Sequence, residues 1–177
     1  MAYTHSNPIA GLLPIANTDA GTTYANASSA APTAPNSLGM IVRATDPTFG
    51  DGEFIFLKGV ASCVVGSMVT YDGTTFQTTL AAVTANQGRP VAFAMAATTA
   101  ALWGWFQIGG TAVASKTTSN KFLATVALGV ISTGKVGSVS SGKQILNART
   151  ANAATVASAT TTVNVLINRP FLQGRVT

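Results

Sequence analysis

Glu53-Phe54-Ile55-Phe56-Leu57-Lys58 is apolar at every position between its two charged ends, with Gly50-Asp51-Gly52 before it and Gly59 after it. Successive side chains of a strand point to opposite faces, so a short apolar run of this kind suits a strand buried on both sides. The surrounding sequence agrees. Ser67-Met68-Val69-Thr70-Tyr71-Asp72-Gly73-Thr74-Thr75-Phe76-Gln77 reads as a hairpin. Asp72-Gly73 suits a two-residue type I′ turn, where both central residues need positive φ. That register sets Tyr71 opposite Thr74 and Val69 opposite Phe76.

Further along, Pro90 to Ala97 alternates Val91, Phe93 and Met95 against Ala92, Ala94 and Ala96. Leu102 to Ile108 places Leu102, Gly104, Phe106 and Ile108 on one face and Trp103, Trp105 and Gln107 on the other, and Gly109-Gly110 ends the run. Thr160 to Asn168 sets Val163, Val165 and Ile167 against Asn164 and Asn168 and is closed by Pro170. Short strands separated by Gly-rich turns predict a mainly β fold, a small antiparallel β-barrel or sandwich. Ala81 to Ala85, Lys121 to Leu128 and Asn147 to Ala157 suit short helices or loops, and Val126 to Gly142 a flexible hairpin.

Residues 1–37 differ in character. They hold Pro8, Pro14, Pro32 and Pro35 among Ala, Ser, Thr and Asn, and Ala25 to Pro35 is of low complexity. Such a segment buries too little apolar surface to fold by itself. The expected division is an extended N-terminal arm, residues 1–37, and a β-rich domain, residues 38–177. Stretched out, an arm of that length reaches about 120 Å. In an assembly it would cross a neighbour and strengthen binding through effective concentration.

Charged residues make up 8% of the chain, against roughly 25% in soluble domains. A surface so poor in charge is poorly protected against association, which points to a protein packed against partners. The charge is also uneven. Asp19, Asp46, Asp51, Glu53 and Asp72 are the only carboxylate side chains. After Asp72 come Arg89, Lys116, Lys121, Lys135, Lys143, Arg149, Arg169 and Arg175. This asymmetry suggests an acidic partner. The bases are isolated, with no zinc-finger spacing and no RNA-binding aromatic signature, so specific nucleic-acid binding is not expected. The uncharged stretch between Arg89 and Lys116 is long enough to span a bilayer, but its glycines, Gln107 and strand-like alternation argue against a membrane helix. No basic segment precedes the weakly apolar Ile9 to Ala16, so no secretory signal is expected.

Catalytic chemistry finds few candidates. General acid–base catalysis needs a positioned His or carboxylate, and the single His, His5, falls in the arm. Asp46 and Asp51 flank a turn and suit turn formation. Cys63, the lone cysteine, lies in the apolar run Val60 to Val65, where a buried inert thiol is expected. No GxSxG elbow, P-loop or dinucleotide fingerprint is present. The reading is therefore not an enzyme, with no cofactor and no metal. The candidate interface residues are Trp103, Trp105 and Gln107, on a strand face opposite Phe106 and Ile108, and Arg169, Phe171 and Arg175 near the C-terminus. The two tryptophans face either outward, as anchors, or a second layer.

The runs Asp51 to Val60, Gly66-Ser67-Met68-Val69-Thr70-Tyr71 and Gly104-Trp105-Phe106-Gln107-Ile108-Gly109-Gly110 resemble those of capsid decoration or cement proteins of tailed bacteriophages. The likeness covers residues 38–115. It implies a structural virion protein on the capsid exterior, made in the host cytoplasm and often trimeric, which bridges subunits of the major capsid protein. The basic C-terminal part would suit an acidic shell. Alternatives are a tail, connector or fibre-base protein, a carbohydrate- or receptor-binding module that stacks sugars on Trp103 and Trp105, and a hydrolase.

Overall fold

The computed structural model describes residues 2–7, 10–22 and 32–175. Among them the fold is entirely β, with no helix. Twelve strands follow in order: β1 (Thr4–His5), β2 (Thr18–Asp19), β3 (Ile41–Asp46), β4 (Gly50–Lys58), β5 (Met68–Tyr71), β6 (Thr78–Leu80), β7 (Val91–Ala94), β8 (Trp103–Ser115), β9 (Ala127–Ser132), β10 (Lys135–Gly137), β11 (Gln144–Thr150) and β12 (Thr162–Leu172). Every strand-to-strand pairing is antiparallel. The main path runs β1-β3-β4-β8-β12-β11-β9-β10. In addition, β2 and β7 pair with β8, and β5 pairs with β6 and β7. The uncharged stretch before Lys116 forms β7 and β8, and no helix is long and apolar enough to cross a membrane.

Three apolar clusters lie between these strands. Phe54, Phe56, Trp103, Trp105 and Met95 form one with Ile15 and Ala44. Ile55, Leu57, Phe106 and Ile108 form a second with Val69, Ala92 and Ala94. Met68, Val91 and Phe93 form a third with β8–β12 residues such as Ala112, Val165 and Ile167. Alternation explains the layering. β4 and the first half of β8 send odd and even residues into different clusters, as do β5 and β7. The Glu53–Lys58 run is thus buried on both sides, as its sequence requires. Each fully buried Phe of β4 contributes about 1.5–3 kcal/mol relative to exposure.

The hairpin at Asp72-Gly73 differs from the two-residue turn expected. Tyr71 pairs with Thr78 and Val69 with Leu80, so the loop holds six residues. The Asp72 carboxylate accepts the backbone N–H groups of Thr74 and Thr75, and the Phe76 N–H donates to the Asp72 carbonyl. These bonds wind the chain past the tight turn. Phe76 takes φ +54° and packs into the second cluster over Gly39, where a Cβ would strike its ring. The Val126–Gly142 segment is a hairpin, β9–β10. Residues 81–85 hold no helix, residues 121–128 lead into β9, and residues 147–157 complete β11 before a loop. β12 does not stop at Pro170. It bulges at Arg169 (φ +45°) and runs on to Leu172, whose N–H donates to the Arg89 carbonyl. A bulge is where a strand tolerates a proline.

The N-terminal segment is not a free tail. Ile15 is fully buried in the first cluster, and Tyr3, Leu12, Leu13 and Ala34 pack against it. Two short pairings fasten it, β1 to β3 and β2 to β8. Composition suggests disorder because most of the segment is polar or small. The few apolar residues it does hold are placed on an aromatic face that needs covering. Residues 25–31 of the low-complexity stretch lie outside the described residues.

Candidate interaction surface

The arm decides where the tryptophans go. Trp105 is 1% exposed and Trp103 is 7% exposed, and Gln107 is fully buried. The second layer they face is the N-terminal segment. The Leu13 carbonyl accepts a hydrogen bond from Trp105 Nε1 (2.7 Å) and lies 3.0 Å from His5 Nε2. A carbonyl can only accept, so this contact selects the His5 tautomer protonated at Nε2. The His5 ring meets Trp105 edge-on at 5.7 Å, and Phe56 meets it at 5.1 Å. Gln107 Nε2 donates to the Gly109 and Thr111 carbonyls, and Tyr3 Oη donates to Thr111 as well. Burial pushes the Tyr3 phenol up. Trp103, Trp105 and Gln107 therefore cannot be surface anchors in this fold, and neither indole is open to stack a sugar. They seat the arm.

Arg169, Phe171 and Arg175 are exposed, as an interface requires. The structure brings the first two together with residues that the sequence reading did not single out. On the outer face of β11 and β12, Leu146 lies directly opposite Phe171 and Arg149 directly opposite Leu166. These apolar groups are 39%, 38% and 36% exposed for Leu146, Phe171 and Leu166. Leu166 carried a signal in the sequence, since it shares the polar face of its strand with Asn164 and Asn168.

The same face continues across β8 to β4 and β3. Asn168 pairs with Gly109, Gly109 with Glu53, and Glu53 with Arg43. Glu53 bridges two guanidinium groups, Arg43 at 3.2 Å and Arg169 at 3.3 Å. The Arg169 contact spans β8 over Gly109, where a Cβ would press on the Glu53 side chain at 3.1 Å. A side chain at Gly110 meets a harder obstacle, because the residue takes φ +86° and a Cβ there would collide with the Asp51 carbonyl.

The remaining titratable groups have structural surroundings. Burial works against the Asp46 carboxylate, but backbone N–H groups of Thr48, Ala2 and Phe49 hold it below the usual carboxylate range. Asp72 is held low by the Thr75 and Thr74 N–H groups of its loop. Burial raises the Cys63 thiol, which sits in the core as its sequence context predicts. Lys116 departs from the picture of a basic surface. It is buried, and its Nζ donates to the Thr117, Asn120 and Ser158 carbonyls at 3.2, 2.8 and 3.2 Å. Burial lowers its pKa. Among the described residues no three His, Cys, Asp or Glu side chains gather as metal ligands would.

A scan of protein-family models, a search of curated proteins and a search of solved structures each return no match to this chain.

Proposed function

We propose that this chain is a structural virion protein, a decoration or cement protein that binds the exterior of an icosahedral phage head and bridges major capsid subunits. The observation that carries this reading is the outer face of β11 and β12. There a sheet buried on one side presents Leu146, Leu166 and Phe171 to solvent beside Arg149 and Arg169. Apolar groups interleaved with arginine are the composition of interface cores. The scarcity of charge over the whole chain, 8% of residues, favours a molecule meant to be packed.

On a shell, such a face adds buried area across seams between capsomers and so resists internal pressure. A homotrimer would place three such faces around one junction. The resemblance of the Gly-punctuated β4 and β8 runs to decoration proteins points the same way. A tail, connector or fibre-base protein would use the same kind of face, and the test below separates it by particle. The test is co-sedimentation with assembled heads of the phage that encodes the chain. Binding to heads and not to isolated tails or free capsid subunits supports the reading, and binding to tails alone moves the protein to the second class.

A further inference from the structure

The carboxylates and the bases of this chain are disposed differently. Every carboxylate side chain is engaged within its own fold. Asp19 accepts the Gly21 N–H, Asp46 those of Thr48 and Phe49, Asp51 the Thr45 hydroxyl, and Asp72 the Thr74 and Thr75 N–H groups. Glu53 holds Arg43 and Arg169. Of the ten bases, those two are paired and Lys116 is buried, which leaves seven with no carboxylate partner among the described residues. Three of the seven, Arg89, Lys143 and Arg175, meet at one end of the sheet. There the Leu172 N–H donates to the Arg89 carbonyl at 2.8 Å and the Gln173 N–H to the Gln144 carbonyl at 2.9 Å. The Gly88 N–H donates to the Gln173 carbonyl at 3.3 Å and the Asn86 N–H to the Gly142 carbonyl at 2.7 Å. These bonds tie the loops before β7, before β11 and after β12 into one cluster. Arg89 and Arg175 are exposed and Lys143 is half-buried. Asp72 borders the cluster, because the Tyr71 N–H donates to the Pro90 carbonyl at 3.3 Å. It makes no ion pair, and its Oδ1 is taken up by its own loop.

We propose that this loop cluster, with Phe171 and Leu146 beside it, is the end of the molecule that docks, and that it docks on an acidic protein surface. The proposal rests on the reading of the chain as a packed structural protein, and it states which end faces the shell. Charge complementarity carries it. Three bases that sequence keeps apart are held together by backbone hydrogen bonds, and the other polar side chains of the cluster, Asn86, Gln87, Gln144 and Gln173, are uncharged. Phe171 and Leu146 pair with each other on the adjoining stretch of β12 and β11, 38% and 39% exposed. Bases of this kind steer the encounter and fix its orientation, while apolar neighbours supply contact area. A second copy of the chain is a poor occupant. It has no free carboxylate to offer, and face to face it would set the same three bases against each other. A nucleic acid would satisfy the bases through its phosphates but gives Leu146 no matching apolar contact, so a folded acidic protein fits better.

The test uses the full-length chain and phage heads that lack it. Wild type is compared with Arg89→Glu/Arg175→Glu and with Lys58→Glu/Lys121→Glu, which changes the net charge equally at other places. The barrel-end pair is expected to lower affinity for heads at least about tenfold and Arg89→Gln/Arg175→Gln to fall between, while Lys58→Glu/Lys121→Glu stays within about twofold of wild type. Wild-type binding weakens from 50 to 500 mM salt, as screened charges require. Amide spectra of the variants should match wild type outside the cluster. Wild-type affinity in Arg89→Glu/Arg175→Glu overturns the proposal, and so does an equal loss in both Glu pairs, since charge would then act without regard to place. A second probe is independent of heads: the isotopically labelled chain is titrated with a capped hexapeptide of alternating Glu and Leu. Shifts are expected at the amides of Gly88, Gly142 and Gly174. Shifts confined to other regions, or tighter binding of oligothymidylate, overturn the proposal. The two readings separate cleanly. If heads bind wild type and Arg89→Glu/Arg175→Glu alike, the seat falls and the shell reading stands. If wild type ignores heads but the peptide shifts those three glycines, the seat stands and the shell reading falls.

Discussion

Glu53 and Arg169 sit on strands that never pair with each other, yet their side chains meet at 3.3 Å across Gly109. The contact joins β4 to β12 over the intervening β8, where Gly109 puts no side chain between them. Exposed ion pairs are worth about 0.2–1 kcal/mol each. Glu53→Gln, which removes this pair and the one to Arg43, should therefore cost under about 2 kcal/mol in urea unfolding, with a smaller effect in high salt. Gly110→Ala should cost more than about 3 kcal/mol, since it forces a side chain into a left-handed backbone and drives its Cβ into the Asp51 carbonyl. Gly109→Ala should cost less, because its Cβ would need Glu53 to shift only slightly from 3.1 Å. Equal losses for the two glycine variants would contradict this account of the β8 glycines.

The arm should behave as core. Ile15→Ala is expected to cost about 2–5 kcal/mol, and Trp105→Ala about 3–5 kcal/mol. Deleting residues 2–22 should bare Phe54, Phe56 and Trp105, shift tryptophan emission to the red and raise binding of a hydrophobic dye. An Ile15→Ala protein as stable as wild type would mean the arm lies on the sheet without stabilising it.

Lys116 should leave a signature at alkaline pH. Its folded-state pKa is lowered by burial, so between that value and the ordinary 10.5 the unfolded chain binds more protons than the folded one. Stability contributed through this group therefore rises as pH climbs through that window. The half-buried phenols of Tyr3 and Tyr71 are shifted up and act in the opposite sense above their ordinary value of 10.0. The difference between wild type and Lys116→Met cancels the tyrosines. It should grow in favour of wild type as pH climbs through the window that ends at 10.5, and a flat difference would show that burial does not lower the Lys116 pKa.

Cys63 should be silent in the folded protein. Its thiol is buried and shifted up, both of which suppress the thiolate. A thiol reagent at pH 8 should label it only after denaturation, and stoichiometric labelling of native protein within minutes would put Cys63 at the surface.

Much of the fold was legible because strands declare themselves by alternation. Val91, Phe93, Val163, Val165 and Ile167 all point where a period of two puts them. The turn at Asp72-Gly73 was misread because a carboxylate that captures two backbone N–H groups outcompetes a dipeptide preference. The surface was harder. Trp103 and Trp105 have the composition of interface anchors, but the Leu13 carbonyl that binds Trp105 is 92 residues away in sequence, in a segment that looks disordered by composition. Arg169 and Phe171 were visible near the terminus, whereas Arg43, Glu53 and Arg149 join them only through the strand order β3-β4-β8-β12-β11, which alternation does not encode. Lys116 counted as surface charge because no pattern marks a lysine satisfied by carbonyl oxygens.

The most direct measurement is sedimentation of purified protein with intact phage heads lacking it, with wild type compared against Leu166→Asp and Phe171→Asp. The account predicts saturable binding of wild type to heads, loss of binding in both variants, and heads that withstand heating better once coated. Wild-type protein that stays in the supernatant at every concentration would contradict it.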